Sequence, residues 1–322
     1  MPTIHDTPPP AVRADLQALR GYLDRRIPPK MLDRNLLIAT WNIRSFSSLT
    51  RKWTAGPGDS PKRDLRGLLA IIEIIRRFDV IAIQEVRGNL RALRDTMKAL
   101  GDDWGFLMTD VTAGEAGNGE RMAYLFDRRR VKPSGLACEL VVPPEWLQGA
   151  SLQELSRQFA RTPYAISFLT LRTTFILVTV HINYGQDPAG RIPELRGVAR
   201  WMRRWANQST AYSHNLIALG DFNIDRHGDA LWQAFTSTGL SAPEALNEVP
   251  RTIFGDSGTE QFYDQIAWFR TGSGVNKLNM EYLGAGYVDF LPYVYRDRGL
   301  SRQAVSYRVS DHYPLWAEFS VR

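Results

Sequence analysis

The sequence is poor in cysteine and has no long apolar segment. Cys138 is the single cysteine among the 322 residues, which excludes an internal disulfide and a zinc site built from cysteines. No apolar run approaches the roughly 18 residues of a membrane-spanning helix, and residues 1–10 lack the apolar core of a signal peptide. We therefore expect no membrane-spanning segment and a reducing, cytoplasmic compartment.

Several common catalytic motifs are also missing. There is no G-x-S-x-G elbow, no Walker A loop, no H-E-x-x-H motif and no C-x-x-C pair. Gly117-Asn118-Gly119 starts like a dinucleotide-binding loop, but it lacks the third glycine and the preceding strand. These absences argue against serine hydrolases, P-loop nucleotidases, zinc proteases and dinucleotide-dependent enzymes.

Composition and charge fit a globular protein with a polyanionic partner. Apolar residues make up 44% of the chain, which is ordinary for a soluble domain. The net charge is +6, which favours nucleic acid or a membrane surface as the partner. Arginine strongly outnumbers lysine, and the planar guanidinium group suits phosphate oxygens.

Polar residues of catalytic type stand at the edges of five apolar segments with strand character. These are Leu36–Ile43 with Asn42, Val80–Gln84 before Glu85, Thr174–Val180 before His181, Leu216–Gly220 before Asp221, and Leu315–Val321 after Asp311 and His312. Carboxylate, amide and imidazole groups gathered at one sheet edge could hold a hard divalent ion and hydrolyse a phosphate ester. The pattern therefore predicts a hydrolytic site assembled from several strands.

The directions of these strands constrain the fold. The first four polar positions lie at or near strand carboxyl ends, whereas Asp264 and Asp311 lie at strand beginnings. All can meet at one rim only if the last strands run antiparallel to the others. This favours a mixed two-sheet sandwich over a doubly wound parallel sheet.

Helical patterns are clearest in three places. Residues 1–34 form a predicted N-terminal extension, whose helix carries Val12, Leu16, Leu19 and Leu23 on one stripe and packs outside a main domain at 35–322. Asp64 is expected to cap a helix with Leu65, Leu68, Leu69, Ile72 and Ile75 on one face. Another helix opens at Pro193, with Leu195, Val198, Ala199, Met202 and Trp205 buried and Arg196, Arg200, Arg203 and Arg204 outward.

The residue types suggest roles for the polar positions. Glu85 is the best candidate metal ligand, and Asn42 and Asp311 could complete an all-oxygen set. Taken alone, a glutamate at a strand end is more often a solvent-facing loop residue. His181 and His312 could serve acid–base roles if each has an orienting carboxylate. The other histidines, His5, His214 and His227, sit in polar surroundings and are expected at the surface.

The quoted positions also belong to longer motifs that occur in a fixed order. They are Ile38-Ala39-Thr40-Trp41-Asn42-Ile43-Arg44, Ile83-Gln84-Glu85-Val86-Arg87, Glu120-Arg121, Arg161-Thr162-Pro163, His181, Gly220-Asp221-Phe222-Asn223, Tyr263-Asp264-Gln265-Ile266 and Ser310-Asp311-His312-Tyr313-Pro314. From Leu36 to Phe319 the chain resembles the endonuclease/exonuclease/phosphatase superfamily, and most of all its deoxyribonuclease-I-like enzymes. The resemblance implies a four-layered α/β sandwich, with two mixed sheets face to face and helices outside.

The resemblance also implies roles for individual residues. Glu85 would be the principal ligand of Mg²⁺ or Mn²⁺, assisted by Asn42 and Asp311. Two carboxylate–histidine pairs, Asp264 with His312 and Glu120 with His181, would flank the scissile phosphate. Asp221 and Asn223 would position water and phosphate, and Arg44, Arg87 and Arg161 would contact the nucleic-acid backbone or the reacting phosphate. The resemblance leaves the general base unassigned between His312 and Asp221.

Three functions stay open from the sequence. The leading one is a nuclease that cuts DNA endonucleolytically and leaves 5′-phosphate and 3′-hydroxyl ends. The others are a phosphatase or phospholipase of the same superfamily, acting on inositol phosphates or sphingomyelin, and a non-catalytic binding module. Asn118 occupies the position of the family tyrosine that enters the DNA minor groove, so weak sequence preference and cleavage of single strands are expected.

Overall fold

The computed structural model describes residues 1–112, 117–140, 159, 161–185, 187–207, 215–255, 260–270 and 277–321. Within these ranges the chain forms two six-stranded β-sheets with helices on their outer faces. None of the helices in these ranges has the length and apolar character needed to cross a membrane.

The first sheet contains both parallel and antiparallel neighbours. Its strands are β1 (Asn35–Phe46), β2 (Val80–Arg87), β3 (Trp104–Met108), β4 (Glu120–Asp127), β11 (Tyr282–Tyr287) and β12 (Leu315–Ser320). They are ordered β11-β12-β1-β2-β4-β3. Strands β1 and β2 run parallel, whereas β12 and β4 run antiparallel to them.

The second sheet has the same mixed design. Its strands are β5 (Lys132–Glu139), β6 (Tyr164–Thr170), β7 (Thr173–His181), β8 (Leu216–Asp221), β9 (Leu240–Ser241) and β10 (Asp264–Phe269), ordered β5-β6-β7-β8-β10-β9. Strands β7 and β8 are parallel, and β10 is antiparallel to β8. The predicted reversal of the last strands is therefore confirmed, and with it the mixed two-sheet sandwich.

The two sheets pack face to face through an apolar interior. Leu36, Ile38, Val80, Tyr124 and Phe319 on the first sheet meet a second group on the other sheet, consisting of Ile166, Phe168, Leu177, Leu219 and Trp268. Gln84 crosses this interior, where its Nε2 donates to Thr179 Oγ1 at 2.9 Å. Because Gln84 directly precedes Glu85, this bond between the sheets fixes the strand next to the predicted site.

Six α-helices lie in the described ranges. They are α1 (Pro10–Arg26), α2 (Leu65–Ile75), α3 (Arg91–Leu100), α4 (Ile192–Ala206), α5 (Ala230–Thr236) and α6 (Arg302–Ser306). Helices α1 to α3 cover the first sheet, and α4 and α5 cover the second. The predicted cap of α2 is confirmed, since the Asp64 side chain accepts from Gly67 N. The four layers follow from one apolar stripe on each helix and two apolar faces on each sheet.

Several sequence predictions require correction. Strands β3, β5, β9 and β11 and helices α3, α5 and α6 have no counterpart among the predicted elements, because they are short or carry many polar residues. Arg203 does not point fully outward: it is half-buried, and its Nη1 donates to Thr238 O at 3.1 Å. His214, which is expected at the surface, lies outside the described residues.

Helix α1 is packed against the body of the protein as its apolar stripe predicts. Leu19 is completely buried in the core between α1, α2 and the first sheet, whereas Gln17 on the same helix is exposed. We expect Leu19→Ala to lower the free energy of unfolding by about 2–5 kcal/mol, because a large buried side chain leaves a cavity. Urea denaturation measures the loss, and Gln17→Ala is the matched control. Equal stability of the two variants would mean that α1 contributes no core.

Candidate active site

Strand register brings the predicted residues to one rim of the sandwich. Asn42 pairs with Gln84 across the parallel strands of the first sheet, so Glu85 follows directly. In the second sheet, Asp221 pairs with both His181 and Asp264. Asp311 and His312 precede β12, which is antiparallel to β1. Strand carboxyl ends and strand beginnings therefore alternate along one edge, which gathers amide, carboxylate and imidazole groups.

Glu85 occupies an irregular position in its strand. The strands extend a little past the predicted apolar runs, since β1 continues to Phe46 and β2 to Arg87, and the pairing register shifts after Asn42 and across Glu85. Glu85 has a φ of 61°, a left-handed conformation that costs a non-glycine residue about 1 kcal/mol or more. A bulge of this kind turns a side chain away from the face that the regular alternation along the strand would give it. Glu85 Oε2 accepts from Ser45 N at 2.7 Å, which fixes the carboxylate at the rim.

Asn42 links the two sheets at the centre of the rim. Its side chain is buried, and Nδ2 donates to Asp221 Oδ2 at 2.9 Å. Asn42 Oδ1 is also buried but accepts no hydrogen bond from the described residues. A buried acceptor without a partner is costly. An amide oxygen is a normal ligand of Mg²⁺ or Ca²⁺, so a hard cation at this point would satisfy it.

His312 and Asp264 form a close pair, in which the carboxylate is buried and the imidazole is partly buried. His312 Nδ1 lies 2.7 Å from Asp264 Oδ2. Burial raises the pKa of Asp264 to about 6, although the charge of His312 opposes this rise. Burial acts against the charged imidazolium, but the carboxylates of Asp264, Asp221 and Asp311 raise the pKa of His312 well above its ordinary value. At neutral pH the pair is therefore an imidazolium beside a carboxylate.

His181 belongs to a second pair on the same rim. Its Nδ1 lies 3.1 Å from Glu120 Oε2, and its Nε2 lies 3.6 Å from Asp221 Oδ2. Burial would raise the pKa of Glu120, but His181 and the guanidinium groups of Arg161 and Arg87 lower it. The Glu120 carboxylate therefore stays ionised and holds the imidazole between two acids. Both predicted carboxylate–histidine contacts are present.

Asp221 is the carboxylate that both pairs approach. One possible metal-ligand atom from each of Asp221, Asp264 and His312, a carboxylate oxygen or a ring nitrogen, lies within 4.8 Å of the other two. Asp221 Oδ1 accepts from Asn223 N at 2.9 Å, and Asn223 adopts a left-handed φ of 48°. The Asn223 side chain donates to Ile182 O at 2.6 Å. These bonds tie the turn after β8 to the end of β7 and fix the direction of Asp221.

The three predicted phosphate-contacting arginines all pair with acids of the site. Arg87 Nη2 lies 3.0 Å from Glu120 Oε1, and Arg161 Nε lies 2.7 Å from Glu120 Oε2. Arg44 Nη1 lies 3.2 Å from Asp311 Oδ2. Arg161 is 7% exposed, whereas the Arg44 and Arg87 side chains are 26% and 29% exposed. Arg44 and Arg87 can therefore reach an incoming anion, and Arg161 mainly braces Glu120.

Two buried arginines support the site but are not among the residues predicted from the sequence. Arg63 is 2% exposed, and its guanidinium donates to the carbonyls of Arg44 and Ser45 on one side and Val309 on the other. It thereby fastens the end of β1 to the segment before Asp311. Arg251 Nε donates to Asp264 O at 3.1 Å, and its guanidinium lies 3.9 Å from the Phe262 ring centre.

These contacts had little signal in the sequence. Arg63 directly precedes a recognised helix cap, but its long-range partners are backbone atoms that carry no residue identity. Ser310 belongs to a quoted motif, yet its bonds to Asn42 O and Arg44 N were equally hidden.

The motif order and the rim geometry agree with a family match. The sequence profile of the Endonuclease/Exonuclease/phosphatase family matches residues 39–312, which include every predicted site residue. The chain belongs to this family. Its members are hydrolases of phosphate esters that generally depend on divalent metal ions, and the acidic rim described above is the candidate cation site of this member.

Known proteins similar to this member of the family include nucleases and phosphatases. A protein named deoxyribonuclease from Thioalkalivibrio sp. (strain K90mix) is 28% identical over 297 residues, which cover 88% of this chain and 71% of the relative. The human nocturnin catalytic domain with bound sulfate has a TM-score of 0.59 at 13% identity, covering 89% of this chain and 93% of that one. A mannosyl-6-phosphatase from Bacteroides thetaiotaomicron has a TM-score of 0.58 at 17% identity, with coverage of 88% and 99%. The two solved structures establish the shared fold.

Proposed function

We propose that the protein is a divalent-metal-dependent nuclease that hydrolyses phosphodiester bonds of DNA, endonucleolytically, leaving 5′-phosphate and 3′-hydroxyl ends. The observation that carries this proposal is the convergence of two carboxylate–imidazole pairs on Asp221. Asp264–His312 reaches it from one side and Glu120–His181 from the other. A phosphate between two such pairs can receive charge stabilisation and proton transfer from both.

Glu85, Asn42 and Asp311 would hold Mg²⁺ or Mn²⁺. The fit rests on the unpartnered Asn42 Oδ1 and on the carboxylate that the strand break turns to the rim. When bound, such an ion polarises a phosphoryl oxygen and stabilises the leaving oxygen. Asp221, Asp264 and His312 also cluster tightly enough to ligate a metal. Because His312 Nδ1 is already bonded to Asp264, we assign that cluster to proton transfer and orientation.

The residues of the rim divide the remaining work. His312, held as an imidazolium by Asp264, donates a hydrogen bond to a phosphoryl oxygen and stabilises its negative charge. Asp221 receives hydrogen bonds from Asn42 and Asn223, so its carboxylate has a fixed direction in which to orient the attacking water. His181, which lies between Glu120 and Asp221, directs its Nε2 toward the same phosphate.

DNA is favoured as substrate by the charge of the chain and by a relative similar in sequence. The chain carries a net charge of +6, and Arg44 and Arg87 are partly exposed next to the candidate metal ligands. The relative named deoxyribonuclease matches most of the chain. An inositol phosphatase or sphingomyelin phospholipase would need the same hydrolytic core but no path for a polymer backbone.

Salt dependence of DNA binding tests the role of Arg87. We expect affinity for a short DNA to fall steeply with salt, and Arg87→Ala to lower the log–log slope by about 1, because one phosphate contact is lost. Binding is measured by fluorescence anisotropy in EDTA, which prevents cleavage. Arg94→Ala, an exposed residue on α3, is the control for the change of net charge. An unchanged slope for Arg87→Ala, or equal effects of both variants, would assign Arg87 to bracing Glu120 alone.

A further inference from the structure

Exposed aromatic rings concentrate around the candidate active site. Among the described residues, four aromatic side chains are exposed: Phe106, Tyr184, Phe254 and Tyr307. Phe106 lies on the edge strand β3, but the other three adjoin residues of the rim. Apolar surface exposed in one small region commonly marks a binding site. Three exposed rings around a phosphate-binding rim therefore restrict the chemistry of the ligand that binds there.

Tyr307 is tied to the rim through Arg44. The Arg44 guanidinium lies 4.1 Å from the centre of the Tyr307 ring, and its Nη1 donates to Ser306 Oγ at 2.9 Å and contacts Asp311. Tyr307 nevertheless remains 46% exposed. One side of the ring therefore rests on a fixed cation beside a candidate metal ligand, while the rest of it faces solvent.

Tyr184 is the corresponding ring beyond His312. Its centroid lies 6.1 Å from that of Tyr263, whose own centroid is 5.8 Å from His312. The buried Arg191 guanidinium lies 4.7 Å from the Tyr184 ring centre and is anchored by both oxygens of Asp225. Tyr184 is 55% exposed. It is thus a second ring backed by a positioned guanidinium at the site.

Phe254 is a third exposed ring beside the site. It is 40% exposed, and the residue before it, Ile253, donates its backbone N–H to Asp311 O at 2.8 Å. Thr252 pairs with His312 in an isolated β-bridge. The backbone of this segment is therefore fixed directly against Asp311 and His312, and Phe254 projects from it into solvent.

A nucleobase is the ligand that suits such rings beside a phosphate site. Every base has a flat π-face, and base–aromatic stacking changes affinity by about 5- to 150-fold per base. The partly exposed guanidinium of Arg44 beside Tyr307 also places positive charge near the backbone phosphate of the same nucleotide. Bases in a duplex are stacked on each other and hide these faces, whereas unpaired bases present them. A surface brace for Arg44 or Arg191 would explain the cation contacts but not the exposed third ring.

We propose that Tyr307, Tyr184 and Phe254 stack on unpaired nucleobases on either side of the cleaved phosphate, so that the substrate is single-stranded DNA. This inference rests on the proposed nuclease function and specifies its substrate. The rings supply affinity that depends on the bases, and Arg44 and Arg87 supply affinity that depends on the phosphates. The two contributions are separable by experiment.

The test compares three labelled ligands of equal phosphate number in EDTA: (dT)12, a 12-unit abasic backbone and a hairpin duplex. We expect the wild-type protein to bind (dT)12 at least about tenfold more tightly than the abasic backbone. Tyr307→Leu and Tyr184→Leu should each remove about fivefold or more of this difference while leaving abasic binding unchanged. Tyr307→Phe should keep it, because the ring remains. Phe106→Leu is the control for loss of an exposed ring away from the site.

The outcomes separate the inference from the function on which it rests. Equal binding of (dT)12 and the abasic backbone, tighter binding of the duplex, or leucine variants that bind like the wild type would overturn the stacking proposal. If the wild-type protein still cleaved DNA in Mg²⁺ in that case, the nuclease function would stand. Absence of both binding and cleavage for every DNA would remove the nuclease proposal together with this one.

Discussion

Glu85→Gln is expected to lower the rate of hydrolysis by at least about a hundredfold and to weaken Mg²⁺ binding, because it removes the one negative charge that the strand break turns to the rim. Glutamine has nearly the same shape and can still accept the bond from Ser45 N, so the fold should persist. Calorimetric titration with Mg²⁺ and initial rates across a metal series measure the two effects.

A matched variant controls for the loss of a carboxylate elsewhere. Glu139 is exposed on the edge strand β5, so Glu139→Gln changes net charge equally without approaching the rim. Near-normal turnover by Glu85→Gln, or full activity of the wild type in excess EDTA, would exclude Glu85 as a metal ligand. A lower Tm of Glu85→Gln than of the wild type would instead assign the residue to stabilising the bulged strand β2.

His312→Ala and Asp264→Asn should each reduce the rate by about 10²- to 10⁴-fold, and the double variant should be scarcely slower than the poorer single one. The reason is the 2.7 Å contact between the partly buried imidazole and the buried carboxylate: without the carboxylate, the imidazole loses both its orientation and the charge that keeps it protonated. Single-turnover rates of the wild type and the three variants give the double-mutant cycle.

The control for this cycle is the other carboxylate–histidine pair. Combining His312→Ala with Glu120→Gln joins residues of different pairs, so the losses should come closer to adding. Additive losses for His312→Ala and Asp264→Asn would show that the two side chains act independently despite their contact.

The strand patterns were enough to locate the rim. Continuous apolar runs predict strands, and Asp264 at a strand beginning opposite Asp221 at a strand end requires antiparallel pairing, which the sheets contain. The motif order then supplied the four-layered fold and the contacts of His312 and His181 with acids. Local pattern and global topology agree at these positions, so the sequence was informative.

The sequence failed where one backbone segment contacts another. Glu85 adopts a left-handed conformation, and β2 continues past it, because the pairing of β1 with β2 contains a bulge. No residue type in the sequence predicts this bulge. Arg63 and Arg251 donate hydrogen bonds to backbone carbonyl groups, which every residue type carries. Strand β5 alternates half-buried and exposed residues at the sheet edge, so it lacks the apolar signal of the central strands.

The arginines illustrate a different limit. Their number predicted a polyanionic partner, but sequence alone could not separate the buried Arg161, which braces Glu120, from the partly exposed Arg44 and Arg87. Exposure and pairing decide which cation can meet a phosphate, and both depend on the folded structure.

A cleavage assay on several phosphate esters distinguishes a metal-dependent nuclease from the alternatives. Purified protein is incubated with Mg²⁺ or Mn²⁺, and separately with EDTA, on labelled single-stranded and duplex DNA, RNA, an inositol phosphate and sphingomyelin, followed by analysis of the ends formed. We expect cleavage of DNA only with metal, internal cuts, and 5′-phosphate with 3′-hydroxyl ends. Faster hydrolysis of the inositol phosphate or sphingomyelin than of any DNA, or cleavage of DNA in EDTA, would contradict it.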